Sequence, residues 1–345
     1  MAAETQVAAQ GVDTERRIAG LTPEGWRHAT TGLAVAIAVV LPWGLGSFEI
    51  FQITLVLIYA IAILGLNILT GFNGQFSLGH SAFFAIGAYA SAILIERYGV
   101  SSYLTIPIAG GFGFVAGFLF GFPALRLSGL YLALATFALS VATPQLLKYT
   151  HFEDFTGGVQ GINLLKDAPP FDLPVSTDHW WYYVTLAVAL LAFWVARNLI
   201  HSRTGRAIMA IRDNPIAAAS MGVNTALYKT VTFGVSALLT AVAGSLSAIV
   251  VEFVAPDSFT FLLSVYFLIG LVIGGVGWIP GAVIGGAFVL YVPNLAEGIS
   301  TGLAGVLFGV IILLVIYLMP SGAAGLIRLA LTRLRRRLDR DNKKA

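Results

Sequence analysis

Ten apolar runs of about 16 to 23 residues fill about two thirds of the sequence from Ala29 to Met319, divided by short breaks and by two long loops at 148–178 and 198–228. They lie at about 29–46, 50–70, 79–95, 103–122, 128–147, 179–197, 229–251, 260–278, 281–296 and 303–319. Each is long enough to cross, or nearly cross, a bilayer as a helix, the form that satisfies every backbone polar group within its own segment. The chain is therefore expected to be an all-α polytopic membrane protein with about ten transmembrane segments. Pro280 and Gly281 leave room for a second count, eight spans plus re-entrant segments. With 57% apolar and 11% charged residues and a mean hydropathy of +0.85, there is too little polar surface to cover a soluble globule.

The basic residues set the orientation. Arg197, Arg203, Arg206 and Arg212 crowd the loop at 198–228 and its margin, and Arg328, Arg333, Arg335, Arg336, Arg337 and Arg340 crowd the end of the chain. Both regions are expected on the cytoplasmic side. Six spans before the loop and four after it then make 1–28 a cytoplasmic N-terminal segment, 29–319 the transmembrane domain and 320–345 a basic cytoplasmic tail. The same arithmetic puts the loop at 148–178 outside, with Glu153, Asp154, Asp167, Asp172 and Asp178 against Lys148 and Lys166. Trp180, Trp181, Tyr182 and Tyr183 beside it suit an interfacial anchor. The tail, with Leu329, Leu331 and Leu334 among its arginines, suits either an interfacial helix on anionic lipid or a solvated extension.

Glycines four apart form bare stripes at Gly113, Gly117 and Gly121, at Gly270 and Gly274, at Gly281 and Gly285, and at Gly305 and Gly309. Such stripes allow helices to approach closely where lipid supplies no hydrophobic force between them.

The second run ends in GLNILTGFNGQFSLGHSAFF, residues 65–84. So many polar side chains and glycines are costly against lipid, so this segment must lie in protein, line a watery path or sit at the surface. Two readings fit: a simple tight turn, or a break whose freed amides and following helix start meet an anionic or zwitterionic solute. The second makes Asn67, Thr70, Asn73, Gln75, Ser77, His80 and Ser81 substrate-pathway candidates. His80 fits a satisfied structural role better than a proton relay.

In the basic loop, Arg206 to Ile211 is helical in composition, and Asp213-Asn214-Pro215 reads as a cap followed by a proline in the first turn. Ile216 to Met221 should then form a short helix closed by Gly222. Two short helices with basic edges make a projection suited to a protein contact.

These stretches, together with PDSFTFLLSVYFLIGLVIGGVGWIPGAVIGGAF, resemble the membrane permease subunits of branched-chain amino acid ABC transporters, on the M-type arm. The resemblance runs from about residue 50 to Leu326. It implies an ABC importer permease for leucine, isoleucine, valine or related small solutes in the bacterial inner membrane. The implied partners are a homologous second permease, two cytoplasmic ATP-binding subunits and a periplasmic solute-binding protein, in contact with membrane lipid and with no nucleic acid. It also implies that Arg206, Arg212, Asp213, Asn214, Pro215, Ala217, Ala218 and Gly222 belong to a coupling loop docked on the ATPase. Ala219 stands where the family often has a polar residue, so no specific ion pair is expected there. Thr156, Gly157, Gly158 and Gly161 resemble the family's external TGG-x-x-GI stretch, implying a closing or docking loop.

No G-x-x-x-x-G-K-S/T motif occurs, so the energy must come from a partner or from an ion gradient; the resemblance implies that partner subunits use ATP and magnesium and that this chain holds no cofactor. There are no cysteines, and the five histidines lack ligand-like spacing, so no metal site and no catalytic residues are expected. The alternatives are an ABC permease for urea or short amides, an ion-coupled carrier and a passive small-solute channel. Glu49, Glu96, Glu252, Asp257 and Glu297 all fall near expected outer ends, which weighs against proton coupling.

Overall fold

The computed structural model describes residues 32–325 apart from 34, 128, 171–174, 300–302 and 319–321. The expected N-terminal segment 1–28 and the arginine-rich tail beyond 325 lie outside the described residues. Contacts divide the chain into two units, 1–50 and 51–345. The first holds an apolar helix, Val35–Gly44 (α1), whose last turn tightens to a 3-10 helix at Leu41–Gly44, with Pro42 in its first turn.

Ser47–Leu66 (α2), whose first four residues fall in the first unit, continues in the second as a π-helical turn, Asn67–Phe72, before the chain opens out. There follow His80–Tyr98 (α3), Ser102–Ala124 (α4), Leu130–Leu147 (α5), the short Thr150–Thr156 (α6) and strand Ile162–Asn163 (β1). Thr177–His201 (α7), Arg203–Asp213 (α8), Pro215–Ser220 (α9) and Thr225–Val251 (α10) lead to strand Phe253–Val254 (β2). A 3-10 turn at Pro256–Phe259, then Phe261–Gly274 (α11), Gly281–Ile299 (α12) and Ala304–Leu318 (α13), complete the order.

Every expected apolar run thus carries a helix, but the count of ten full spans is not met. Among the described residues five helices are long and apolar enough to cross a membrane: Ser47–Phe72, α4, α5, α7 and α10. α3 ends in Glu96 and Arg97, and the turn at 275–280 cuts α11 to 14 residues, about 21 Å against a hydrocarbon core of about 30 Å. The architecture is that of an all-α polytopic membrane protein.

α10 is the axis of the bundle. The most apolar stretches of α2 and α10 are 78% and 72% buried, against 39% or less for α4, α5 and α7. Small residues allow this. Gly113, Gly117 and Gly121 of α4 lie in turn against Ala241, Ala237 and Thr230 of α10, an antiparallel contact in which any added methyl meets atoms of the partner. Gly87 of α3 lies on the backbone at Ala241, and Gly244 on that at Phe84. Gly270 faces Gly285 and Gly274 faces Gly281, which locks α11 to α12 backbone to backbone. Three of the four stripes are therefore packing surfaces within the chain, whereas Gly305 and Gly309 face open space.

At the end of the bundle expected outside, β1 pairs antiparallel with β2, Ile162 opposite Val254, which fastens the loop 148–178 to the end of α10. Lys148 pairs with Asp257, and Lys166 with Asp178 at 3.2 Å. Trp181 and Tyr182 are not interfacial anchors: both are 1% exposed, and Trp181 stacks on Tyr103 with its Nε1 donating to the Asp167 carbonyl. A buried indole with a satisfied N–H is a core residue.

The α3–α10 contact has a direct test. Gly87→Ala should destabilise the purified protein by about 1–3 kcal/mol, because the neighbour is backbone that cannot turn aside. Gly111→Ala, with nothing within 4 Å, should leave the thermal midpoint in detergent unchanged or raise it.

Candidate functional site

The break after α2 is neither a simple tight turn nor an open pocket. In a π turn each amide reaches back five residues, as Asn73 N does to the Ile68 carbonyl (3.2 Å), and Gln75 N reaches the Leu69 carbonyl at 3.1 Å. Residues 74–79 then run without regular structure to the start of α3. Among the seven pathway candidates, Asn67, Asn73, Gln75, Ser77, His80 and Ser81 are buried and Thr70 is half-buried. Gly74 and Phe76 are exposed between them.

The partners of these side chains come from far along the chain. Asn67 accepts from Gly277 N at 2.9 Å and donates to the Trp278 carbonyl at 3.0 Å, clasping the turn between α11 and α12. Ser81 N donates to Ser264 Oγ of α11, and Ser264 Oγ donates to Ser81 Oγ, both at 2.8 Å. Leu78 N donates to Thr136 Oγ1 of α5 at 2.9 Å. Thr70 Oγ1 donates to the Gln75 carbonyl, and Asn73 Nδ2 to Gln75 Oε1 at 2.8 Å, while Asn73 Oδ1 is buried with no protein partner.

His80 sits in a chain whose donors and acceptors fix one another. Ser236 Oγ donates its only proton to the Gly65 carbonyl at 2.6 Å, so at 2.8 Å it accepts from His80 Nε2. Nε2 then carries the proton of a neutral ring, and Nδ1 accepts from Ser77 Oγ at 3.1 Å, which itself accepts from Gly79 N. Every polar atom is used. The arrangement joins α2, α3 and α10 and suits a structural histidine rather than a proton relay.

The two short helices form as their local chemistry dictates. Ser202 caps α8 by accepting from Gly205 N, and Asn214 ends α8 and begins α9. Its Oδ1 accepts from Ile216 N at 3.1 Å and Ala217 N at 3.0 Å, with Pro215 first in the helix where no N–H is needed. α9 closes in a Schellman motif, Val223 N to the Ala218 carbonyl and Gly222 N to the Ala219 carbonyl, with Gly222 left-handed at φ +83°. Ala218 packs inward while Ile216 and Met221 are 82% and 84% exposed. Arg206 and Ala217 are exposed. Ile208 and Ile200 bury against Phe72, which seats α8 beside the break. Arg212 spans the junction: its guanidinium pairs with Asp213 at 2.9 Å and donates from Nη1 to the Gly71 carbonyl at 3.1 Å.

At the opposite end, Thr156 Oγ1 donates to the Leu147 carbonyl and accepts from Gly158 N, holding the start of the loop at 148–178. Gly157 and Gly161 border an open cavity of about 290 Å³ with Glu96, Arg97, Phe155 and Asn163. Arg97 lies over the Phe155 ring at 4.7 Å. Among the described residues no group of three or more histidine, aspartate or glutamate side chains is placed to hold a metal.

Ser236, Ser264 and Thr136 join the site without standing among the candidates named from the sequence, and Glu252, expected only as a carboxylate near an outer end, holds the loop at 148–178. Serines and a threonine inside apolar helices were the available signal. Glu252 has left-handed backbone at φ +62°, its carbonyl accepts from Leu164 N at 2.8 Å and its carboxylate from Lys166 N.

Two substitutions test these assignments. Ser236→Ala leaves a buried imidazole donor unpaired and removes the bond to the Gly65 carbonyl, and should cost about 1–3 kcal/mol in thermal or denaturant unfolding. Asn214→Ala removes both capping bonds and should cost about 1 kcal/mol locally, read as faster amide exchange at 215–221 with the spans unaffected.

Residues 50–316 match the family described as branched-chain amino acid transport system / permease component. The LivM permease protein of the high-affinity branched-chain amino acid transport system of Escherichia coli K12 is 35% identical over 266 residues, 70% of this chain and 62% of that protein. The chain thus spans under two thirds of that relative's length. A probable LivM of Methanocaldococcus jannaschii is 28% identical over 77% of this chain and 82% of its own. The LivH permease protein of E. coli K12 is 25% identical over 79% of this chain and 93% of its own. No solved structure matches. The chain belongs to the permease component family of branched-chain amino acid transport systems.

Proposed function

We propose that the chain is the membrane permease subunit of an ATP-driven importer for branched-chain amino acids or related small solutes. It resides in the bacterial inner membrane with both termini cytoplasmic, and it forms the pathway with a second, homologous permease. The observation that carries this reading is the α8–α9 pair, two capped helices that present Ile216 and Met221 outward while resting on the break in α2. Apolar side chains held out on a rigid, capped helix are a ready anchor for a groove on another protein.

Family membership supports the substrate class, since both the LivM and LivH relatives are named for branched-chain amino acid transport. That one organism has both, each similar to this chain, supports a pairing of related permeases. The residues assigned to the ATPase coupling loop are Arg206, Arg212, Asp213, Asn214, Pro215, Ala217, Ala218 and Gly222, with Ile216 and Met221 as its docking side chains. ATP and magnesium belong to the ATP-binding subunits. Thr156, Gly157, Gly158 and Gly161, held rigid by β1–β2 pairing, are assigned to contact with a periplasmic solute-binding protein. The pathway residues at 67–81 act by fixing the shape of the break, and Gly74 and Phe76 are its open rim. Up to ten segments are assigned to the membrane, the shorter helices being completed by neighbouring protein.

Uptake into proteoliposomes tests the whole. With this chain, its copurifying membrane and ATP-binding subunits, binding protein outside and ATP inside, leucine or valine should accumulate only when both ATP and binding protein are present. Flux through this chain alone without ATP would move it to the carriers or channels.

A further inference from the structure

The carbonyl of Gly71 lies where the helical ladder of α2 has run out. The amides that follow it turn back to Ile68 and Leu69, so this acceptor has no helical donor. Arg212 supplies one from 141 residues away. The same guanidinium is held on its other side by Asp213, through Nε at 3.0 Å and Nη2 at 2.9 Å, and the Asp213 side chain is 68% exposed. The aliphatic stem of Arg212 rests on Gly74, whose left-handed backbone (φ +74°) and missing side chain leave the space; a Cβ there would come within 2.8 Å of Arg212 Cγ.

We propose that Arg212 is a positioning residue that transmits displacement of the α8–α9 pair to the broken end of α2. This rests on the importer reading above. The guanidinium fork binds Asp213 and the Gly71 carbonyl at once in fixed geometry, which a lysine ammonium on a flexible stem does not do. Gly71 is four residues from Asn67, which clasps Gly277 and Trp278, so what moves the π turn also moves the turn between α11 and α12. A subunit that docks on α9 and attracts the exposed Asp213 carboxylate competes with Arg212 for it. The strength of the hold on Gly71 then depends on the docked state.

The test uses the full complex in proteoliposomes with binding protein outside, and measures leucine taken up, ATP hydrolysed and the ATP-binding subunits that copurify. Arg212→Gln and Gly74→Ala should lower leucine carried per ATP about tenfold, the scale of one charge-assisted hydrogen bond lost from a two-state coupling. The ATP-binding subunits should still copurify. Arg212→Lys should fall between, because it keeps the charge but not the fork. An unchanged ratio in Arg212→Gln overturns the proposal, and so does loss of copurifying ATP-binding subunits with uptake and hydrolysis falling together, which makes Arg212 a docking residue only. If Arg212→Gln does not insert, Arg212→Lys and Gly74→Ala carry the same comparison. Uptake that needs no ATP in the unsubstituted complex overturns the importer reading and this inference with it; ATP-dependent uptake that ignores Arg212 overturns the inference alone.

Discussion

A helix that stops inside an apolar interior must find partners for the backbone groups it frees, and no water is at hand to take them. That requirement at 67–79 organises the surrounding fold. The stretch from the end of α2 to the start of α3 draws Thr136 from α5, Ser236 from α10, Ser264 from α11, Gly277 and Trp278 from the turn before α12, and Arg212 from α8. Each bond contributes about 1 kcal/mol on balance, but each one left unmade would cost more, so the set acts as a specification of which helices meet.

Close packing makes the meeting possible. Glycine and alanine on α3, α4 and α10 bring backbones near enough for Ser91 and Ser245 to share a 2.6 Å hydrogen bond, and for Gly65 to touch Ser236. The hydrogen bonds select the partners, and the small residues set the distance.

Local chemistry was legible in the sequence. Asn214-Pro215 and Gly222 announce α9 because capping needs only a few neighbouring residues, and the glycine stripe of α4 is visible as a stripe. What the stripe meets is not, since nothing near Gly113 names Ala237 or Ala241. The same holds at the break: its polar residues stand out, while the serines that answer them lie more than 150 residues away. Helix lengths were misjudged for a related reason. Apolar composition continues through the glycines before Pro280, but Gly275 and Gly277 take up positive φ and end α11 early. Type and position suggest anchors at Trp181 and Tyr182, but both are buried, Trp181 between Tyr103 and the Asp167 carbonyl, partners that lie elsewhere in the sequence.

α10 has a further consequence. At 27 residues it is about 40 Å long, unbroken by proline, with the α8–α9 pair joined to its start and β2 at its far end zipped to the external loop. The two surfaces proposed to face different compartments are thus mounted on one stiff rod. They form a single evolutionary and engineering unit: an external loop grafted from a relative meets the wrong strand and the wrong Glu252 unless α10 travels with it.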